Sequence, residues 1–260
     1  MMLSTLLLPL LAAATMLESP PPPPPPPPEA DRLNACLAQL RNDSEAAIVA
    51  ADDWLDESKG AARAAPLQCL GAAFARLGDW AGAEENFLKA REATPPDASA
   101  QRARLAGMAG NAALADSRFT DALAALDLAR EDATLSGERQ LAGDIEVDRA
   151  RALAGMGLMS QTRTALEKAR MDAPGNADGW LLSATLARRE GDLASAQKFI
   201  ETAAGLRPVD REIGLEAGVI AVLSGNTDAA RKSWQSVVDA DPASREALTA
   251  RGYLAQLTAP

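Results

Sequence analysis

The sequence predicts an all-α fold, a solenoid of antiparallel helix pairs, and three observations support this prediction. In this chain of 260 residues, 47% of the residues are hydrophobic but only 3% are aromatic. Alanine and leucine dominate, which favours closely packed helices. No two β-branched runs are joined by a hairpin turn. A pattern of glycine, alanine and proline recurs with a period of 34 residues, as in helical repeats.

Each repeating unit contains two helical patterns, separated by a glycine and closed by a proline. Glycine with a positive φ ends the first helix, and proline prevents the second helix from continuing. The separating glycines are Gly78, Gly157, Gly191 and Gly225, and the closing prolines are Pro95, Pro174, Pro208 and Pro242. Asp79, Asp192 and Asn226 follow three of these glycines and are predicted to cap the second helices.

Small residues recur at the eighth, twentieth and twenty-seventh positions of the unit, as at Gly71, Ala83 and Ala90. They allow the two helices of a unit, and the first helix of the next unit, to approach closely. Larger residues such as Phe87 and Trp234 fill the space that remains at position 24.

This pattern resembles the tetratricopeptide repeat, whose 34-residue unit has small residues at positions 8, 20 and 27 and proline at position 32. The segment from Leu70 to Pro96 is especially similar. The resemblance covers residues 64–257, with units starting near 64, 103, 143, 177 and 211 and a half unit from 245. It implies a right-handed superhelix that binds a partner protein or peptide, without catalysis and without a cofactor.

Two parts of the chain depart from the strict period. The unit at 103 lacks the closing proline, and it begins 39 residues after the preceding unit and 40 before the next. We expect the extra residues to form longer turns between units. Residues 30–63 are predicted to form a degenerate helix pair that caps the array, with Asn42 and Asp43 between its two helices.

The amino-terminal residues 1–19 are predicted to be a signal peptide or a membrane anchor. Leu3 to Met16 is an uncharged apolar run, too short to cross a bilayer of ~30 Å. Three alanines offer a cleavage site, although no basic residue precedes Arg32. The expected location is the periplasm or the exterior; the alternatives are a membrane tether through an uncleaved segment, and a buried or disordered amino terminus.

Residues 20–29 contain nine consecutive prolines, Pro20 to Pro28. Such a run adopts the extended polyproline II form. It is predicted to be a stiff spacer, with a docking site for a proline-binding domain as the alternative.

Cys36 and Cys69 are the two cysteines of the chain. In an exported protein they are expected to form a disulfide, and in a reducing compartment they would be two buried thiols. The resemblance places them on the first helices of adjacent units, which pack side by side.

Charge and composition exclude several classes of function. The formal net charge of −10 repels phosphate backbones, so nucleic acid is not an expected partner. The chain has no histidine, the commonest general base and transition-metal ligand. No phosphate-binding glycine loop and no metal-ligand spacing is present. The sequence therefore predicts neither an enzyme nor a metal site.

The resemblance also implies a concave groove lined by positions 2, 5, 9 and 12 of the first helices. The family's carboxylate clamp of Lys and Asn is missing, since only Asn111 and Arg151 come near it. The carboxyl-terminal half is instead apolar and is expected to form an exposed stripe, unless the superhelix or self-association covers it. The candidate groove residues are Asn111, Arg151, Leu181, Thr185, Arg188, Leu215, Val219, Val222 and Tyr253. The alternative function is a structural or assembly factor of an envelope complex that acts through its outer surface or through self-association.

Overall fold

The computed structural model of the protein describes residues 28–258, in which the secondary structure is entirely helical. The α-helices in this range are α1 (Pro28–Gln39), α2 (Ser44–Glu57), α3 (Ala64–Leu77), α4 (Trp80–Ala93), α5 (Ser99–Ala115), α6 (Phe119–Ser136), α7 (Arg139–Gly155), α8 (Met159–Asp172), α9 (Ala177–Arg189), α10 (Leu193–Leu206), α11 (Arg211–Leu223), α12 (Thr227–Ala240) and α13 (Arg245–Thr258). The predicted signal peptide or anchor and the spacer up to residue 27 lie outside the described residues. None of the described helices has the length and apolar character that a membrane span requires.

Each helix packs against the helix that follows it, and first helices of neighbouring units also contact each other from α5 to α13. The core is a chain of small apolar clusters along the array rather than one central core. This arrangement confirms the predicted all-α solenoid. One boundary differs: α1 already begins at Pro28, inside the predicted spacer, because proline is well tolerated at the first position of a helix.

The predicted helix ends are confirmed by the backbone. Gly78, Gly157, Gly191 and Gly225 have φ between 77° and 82°, in the left-handed region that favours glycine. The Asp79 carboxylate accepts a hydrogen bond from the Gly82 N–H, and Asp192 and Asn226 cap their helices in the same way. The corresponding turn after α5 instead uses Ser117, at φ 57°.

The extra residues of the two long units do not form longer turns, so that expectation is wrong. The first helices α5 and α7 have 17 residues each, whereas the first helices α9 and α11 have 13. The second helix α6 has 18 residues, whereas the second helices α10 and α12 have 14. Helices α5 and α7 begin at Ser99 and Arg139, one turn before the expected unit starts. The added segments, residues 99–102, 133–136 and 139–142, contain neither proline nor glycine, so nothing within them stops the helices from extending.

The small residue at the eighth position is required by close packing within a unit. A Cβ atom added to Gly71 would lie 2.7 Å from the Phe87 ring. A Cβ atom added to Gly218 would lie only 2.1 Å from Nε1 of Trp234, which donates a hydrogen bond to the Leu215 carbonyl. The aromatic side chain at position 24 therefore lies directly on the glycine at position 8.

We expect Gly218→Ala to lower the free energy of unfolding by about 1–3 kcal/mol, because the indole cannot keep both its place and its hydrogen bond. Gly252→Ala is the matched control, since no neighbouring atom lies within 4 Å of a Cβ at that position. The control is expected to be neutral or to stabilise by up to ~1 kcal/mol. Urea unfolding followed by circular dichroism measures both changes. Equal effects of the two substitutions would show that contact with Trp234 is not the constraint.

The amino-terminal helix pair is joined covalently to the next unit. A disulfide connects Cys36 of α1 with Cys69 of α3, and their Cα atoms are 6.3 Å apart. Both cysteines are buried. Trp54 of α2 is buried as well, with the Arg32 guanidinium 4.6 Å from the centre of its ring. The least regular pair of the array is thus held by a crosslink as well as by packing.

Candidate functional site

The first helices of the last three units, α9, α11 and α13, enclose an open cavity of about 610 Å³. They lie side by side because each occupies the same place in its unit. Six of the nine residues predicted for the groove line this cavity. These are Leu181, Thr185, Arg188, Leu215, Val219 and Tyr253.

The apolar wall of this cavity is part of the packed core rather than an exposed stripe. Leu181 is buried, with 8% of its surface exposed. Leu215, Val219 and Tyr253 are half-buried and pack against the last core cluster. The Tyr253 ring lies 4.9 Å from the ring of Trp234. The wall is therefore a preformed surface, with one face turned to the cavity.

Five charged residues also line the cavity: Arg188, Glu212, Glu216, Arg245 and Glu246. Arg188, the one that the sequence predicted for the groove, is neutralised by a partner that the sequence reasoning did not include. The Arg188 guanidinium donates to both carboxylate oxygens of Glu216, with Nε–Oε1 at 2.6 Å and Nη2–Oε2 at 3.2 Å. Both side chains are mostly buried. Arg188 is at position 12 of its unit and Glu216 at position 6 of the next, so opposite charges at these two positions were the available signal.

Val222, Asn111 and Arg151 do not line this cavity. Val222 packs into the last core cluster instead. Nδ2 of Asn111 donates to Oδ2 of Asp148 at 2.9 Å. The Arg151 guanidinium binds both Asp148 and Asp178. Asn111 and Arg151 thus belong to a row of polar contacts between units.

The charges in this row shift one another's pKa. Burial raises the pKa of Asp148, although Arg151 and Asn111 oppose the shift. Burial by itself would lower the pKa of Arg151. The carboxylates of Asp148 and Asp178 outweigh burial, so the pKa of Arg151 lies above its usual value. For Asp178, Arg151 and Arg207 outweigh burial and lower the pKa. Arg151 is therefore a permanently charged group already paired within the protein, not a free cation for a peptide carboxylate.

A second and larger cavity, of about 750 Å³, lies between α6, α7 and α8. None of the predicted groove residues lines it. In the described part of the chain, no group of three acidic or cysteine side chains is arranged to hold a metal ion.

Neither a protein-family model nor a curated protein matches the sequence. Solved structures do resemble it. PilW, described as a widely conserved type IV pilus biogenesis factor, is 17% identical with a TM-score of 0.68, over 85% of this chain and 97% of PilW. PilF of Pseudomonas aeruginosa is 19% identical with a TM-score of 0.68, over 86% of this chain and 97% of PilF.

YrrB, described as a tetratricopeptide-repeat protein with an unusual peptide-binding site, is 19% identical. Its TM-score is 0.52, over 78% of this chain and 98% of YrrB. This chain has the tetratricopeptide-repeat fold. At these identities the likeness concerns the fold, and the site must be interpreted from the chain's own residues.

Proposed function

We propose that this tetratricopeptide-repeat protein is a non-catalytic scaffold that binds a segment of a partner protein between α9, α11 and α13. The observation that carries the proposal is the preformed cavity of about 610 Å³ with an apolar wall. Concave sites with apolar linings and a few fixed polar groups are typical of ligand binding. YrrB, a protein of the same fold with a peptide-binding site, supports the same interpretation.

The lining indicates the kind of segment that fits. Leu181, Leu215 and Val219 offer apolar surface, so an apolar side chain of the partner gains free energy on burial. Arg188 and Glu216 neutralise each other, and Glu246 pairs with Arg211, so the partly buried charges of the lining already have partners within the protein. Glu212 and Arg245, which also line the cavity, are exposed. We therefore propose an extended or helical partner segment that inserts one or two apolar side chains.

Val219→Glu tests this proposal. A carboxylate on the apolar wall is expected to reduce partner capture from native cell extract at least tenfold, because the carboxylate would lose its water when the partner binds. Leu223→Glu is the matched control on the same helix, since Leu223 is 54% exposed and does not line the cavity. The measurement is quantitative mass spectrometry of captured proteins, after circular dichroism has verified equal helicity.

Equal capture by both variants would contradict the groove and favour the second candidate, an assembly factor that acts through its outer surface or through self-association. Similarity to nearly the whole of PilW, a pilus biogenesis factor, supports this candidate. Sedimentation velocity of the wild-type chain would then measure self-association directly.

We further propose that the protein acts in the cell envelope. The Cys36–Cys69 disulfide supports this location, because structural disulfides persist in oxidising compartments. Thiol labelling of the protein isolated from its native cell, without added reductant, tests the proposal, and two free thiols would contradict it.

A further inference from the structure

The larger cavity between α6, α7 and α8 has features of a binding site that is separate from the groove. Its volume of about 750 Å³ falls within the range of small-ligand sites. Leu153 and Ala165 provide apolar surface, and Ser160 and Thr164 provide hydroxyl groups at its edge. Two charged residues of α7, Glu146 and Arg149, also line it.

These two charged residues occupy positions of the repeat that are apolar or small in the other full units. Glu146 is at position 4 and Arg149 at position 7 of the unit that starts near 143. The equivalents at position 4 are Leu67, Ala106, Trp180 and Gly214, and those at position 7 are Leu70, Ala109, Ser183 and Ala217. A buried ion pair is rarely more stabilising than apolar residues of similar volume. The pair therefore needs an explanation other than stability.

Glu146 is a buried carboxylate with one oxygen unused. Its side chain is 4% exposed. Oε2 accepts a hydrogen bond from Nη1 of Arg149 at 2.7 Å. Oε1 receives no hydrogen bond from the part of the chain that the structure describes, and it is not sealed from solvent. Because Glu146 lines the cavity, this oxygen is available to a donor on a ligand.

The bases around the cavity are already paired within the protein, and the charges balance. Arg149 is shared between Glu146 and Asp127, whose Oδ1 lies 2.8 Å from Nη2 of Arg149. Lys168 pairs with Asp172, and Arg130 lies 3.9 Å from Asp127. Glu131 adds an exposed carboxylate. Arg139 also pairs with Asp172. The lining residues Glu131, Glu146, Arg130, Arg149 and Lys168, together with their partners Asp127, Asp172 and Arg139, therefore contain four acids and four bases. Each of the four bases has a carboxylate partner, so no unpaired base remains to repel a cation.

We propose that this cavity binds an aliphatic cation, a primary ammonium or guanidinium group on a short apolar chain. The cationic group donates a hydrogen bond to Oε1 of Glu146, and the chain lies on Leu153 and Ala165. A hydrogen bond to a buried carboxylate is stronger than one between neutral groups. Such a cation is available either as a free amine or as the lysine or arginine side chain of another protein.

Binding of n-hexylamine, followed by protein-observed NMR, tests the proposal in the full chain. The wild-type protein is expected to bind hexylammonium at least tenfold more tightly than n-hexanol. Glu146→Gln should weaken hexylammonium binding about tenfold or more. Glu131→Gln is the matched control, because it removes the same charge at an exposed position of the same cavity, and it should change the affinity less than threefold.

Thr164→Phe covers the case in which Glu146→Gln disturbs the packing of Arg149. Thr164 is exposed at the edge of the cavity, so a phenyl ring there should block binding without touching the buried pair. The tripeptide acetyl-Ala-Lys-Ala-amide, compared with hexylamine, identifies the source: tighter binding of the peptide indicates a protein side chain, and tighter binding of hexylamine a free amine. If neither probe binds the wild-type chain, or if Glu146→Gln binds hexylammonium equally well, the proposal is wrong.

Discussion

Asp132→Ala is expected to lower the free energy of unfolding by about 3–5 kcal/mol, the cost typical of removing one partner from a buried ion pair. Asp132 is 6% exposed on α6, and Oδ2 lies 2.6 Å from Nε of Arg91. Its other oxygen, Oδ1, lies 3.4 Å from Nε of Arg102. Without the carboxylate, two mostly buried guanidinium groups would be left facing each other across α4 and α5. Urea unfolding at neutral pH, followed by circular dichroism, measures the loss.

Asp121→Ala is the control for this prediction on the same helix. Asp121 is 52% exposed and pairs with Arg118, so its removal should cost no more than about 1 kcal/mol. Hydrogen exchange should locate the effect of Asp132→Ala in α4, α5 and α6. An unfolding free energy reduced by less than about 1 kcal/mol for Asp132→Ala would mean that water or neighbouring carbonyls compensate the two arginines.

Replacing both Cys36 and Cys69 by alanine is expected to lower the free energy of unfolding by about 3–4 kcal/mol. The disulfide closes a loop with a sequence separation of 33 residues, and the figure is the loss of unfolded-chain entropy expected for such a loop. The loss should fall on α1 and α2, because within the described residues this pair has a neighbouring unit on one side only. Limited proteolysis, with mass spectrometry of the fragments, measures where the chain opens.

Reduction of the wild-type protein by dithiothreitol is the control for the double substitution. It removes the same crosslink but keeps both sulfur atoms in the core. Matching losses would assign the stabilisation to the crosslink itself. If only the substituted protein is destabilised, the packing of the two side chains, which are 8% and 0% exposed, is what matters, and the chain-entropy explanation fails.

The fold could be predicted from the sequence because its determinants are local and repeated. Gly78 takes a positive φ, and Asp79 caps the next helix through contacts within a few residues. Gly71 and Gly218 also follow from the sequence, because a repeat places each one opposite an aromatic residue 16 positions later. Patterns of this kind need no knowledge of the distant parts of the chain.

The features missed by the sequence reasoning depend on contacts between units. The ion pairs Arg188–Glu216 and Arg91–Asp132 join residues 28 and 41 positions apart. The longer α5, α6 and α7 change the local spacing, so the partners there could not be obtained from the period of 34 residues. Glu146 did leave a signal, a carboxylate at a position that is apolar or small in the other full units. A role for Glu146 could be proposed only once the structure showed the cavity beside it.

Helix α13 supplies Tyr253 to the wall of the groove, and within the described residues it is the last helix, packed mainly against α12 and also against α11. Molecules in which α13 has detached lack a complete wall, so the apparent affinity for a partner falls in proportion to their fraction. Conversely, a bound partner adds its own binding free energy to the docking of α13. The proposed recognition in this groove therefore implies a thermodynamic coupling to the folding of the last helix, and one can be measured through the other.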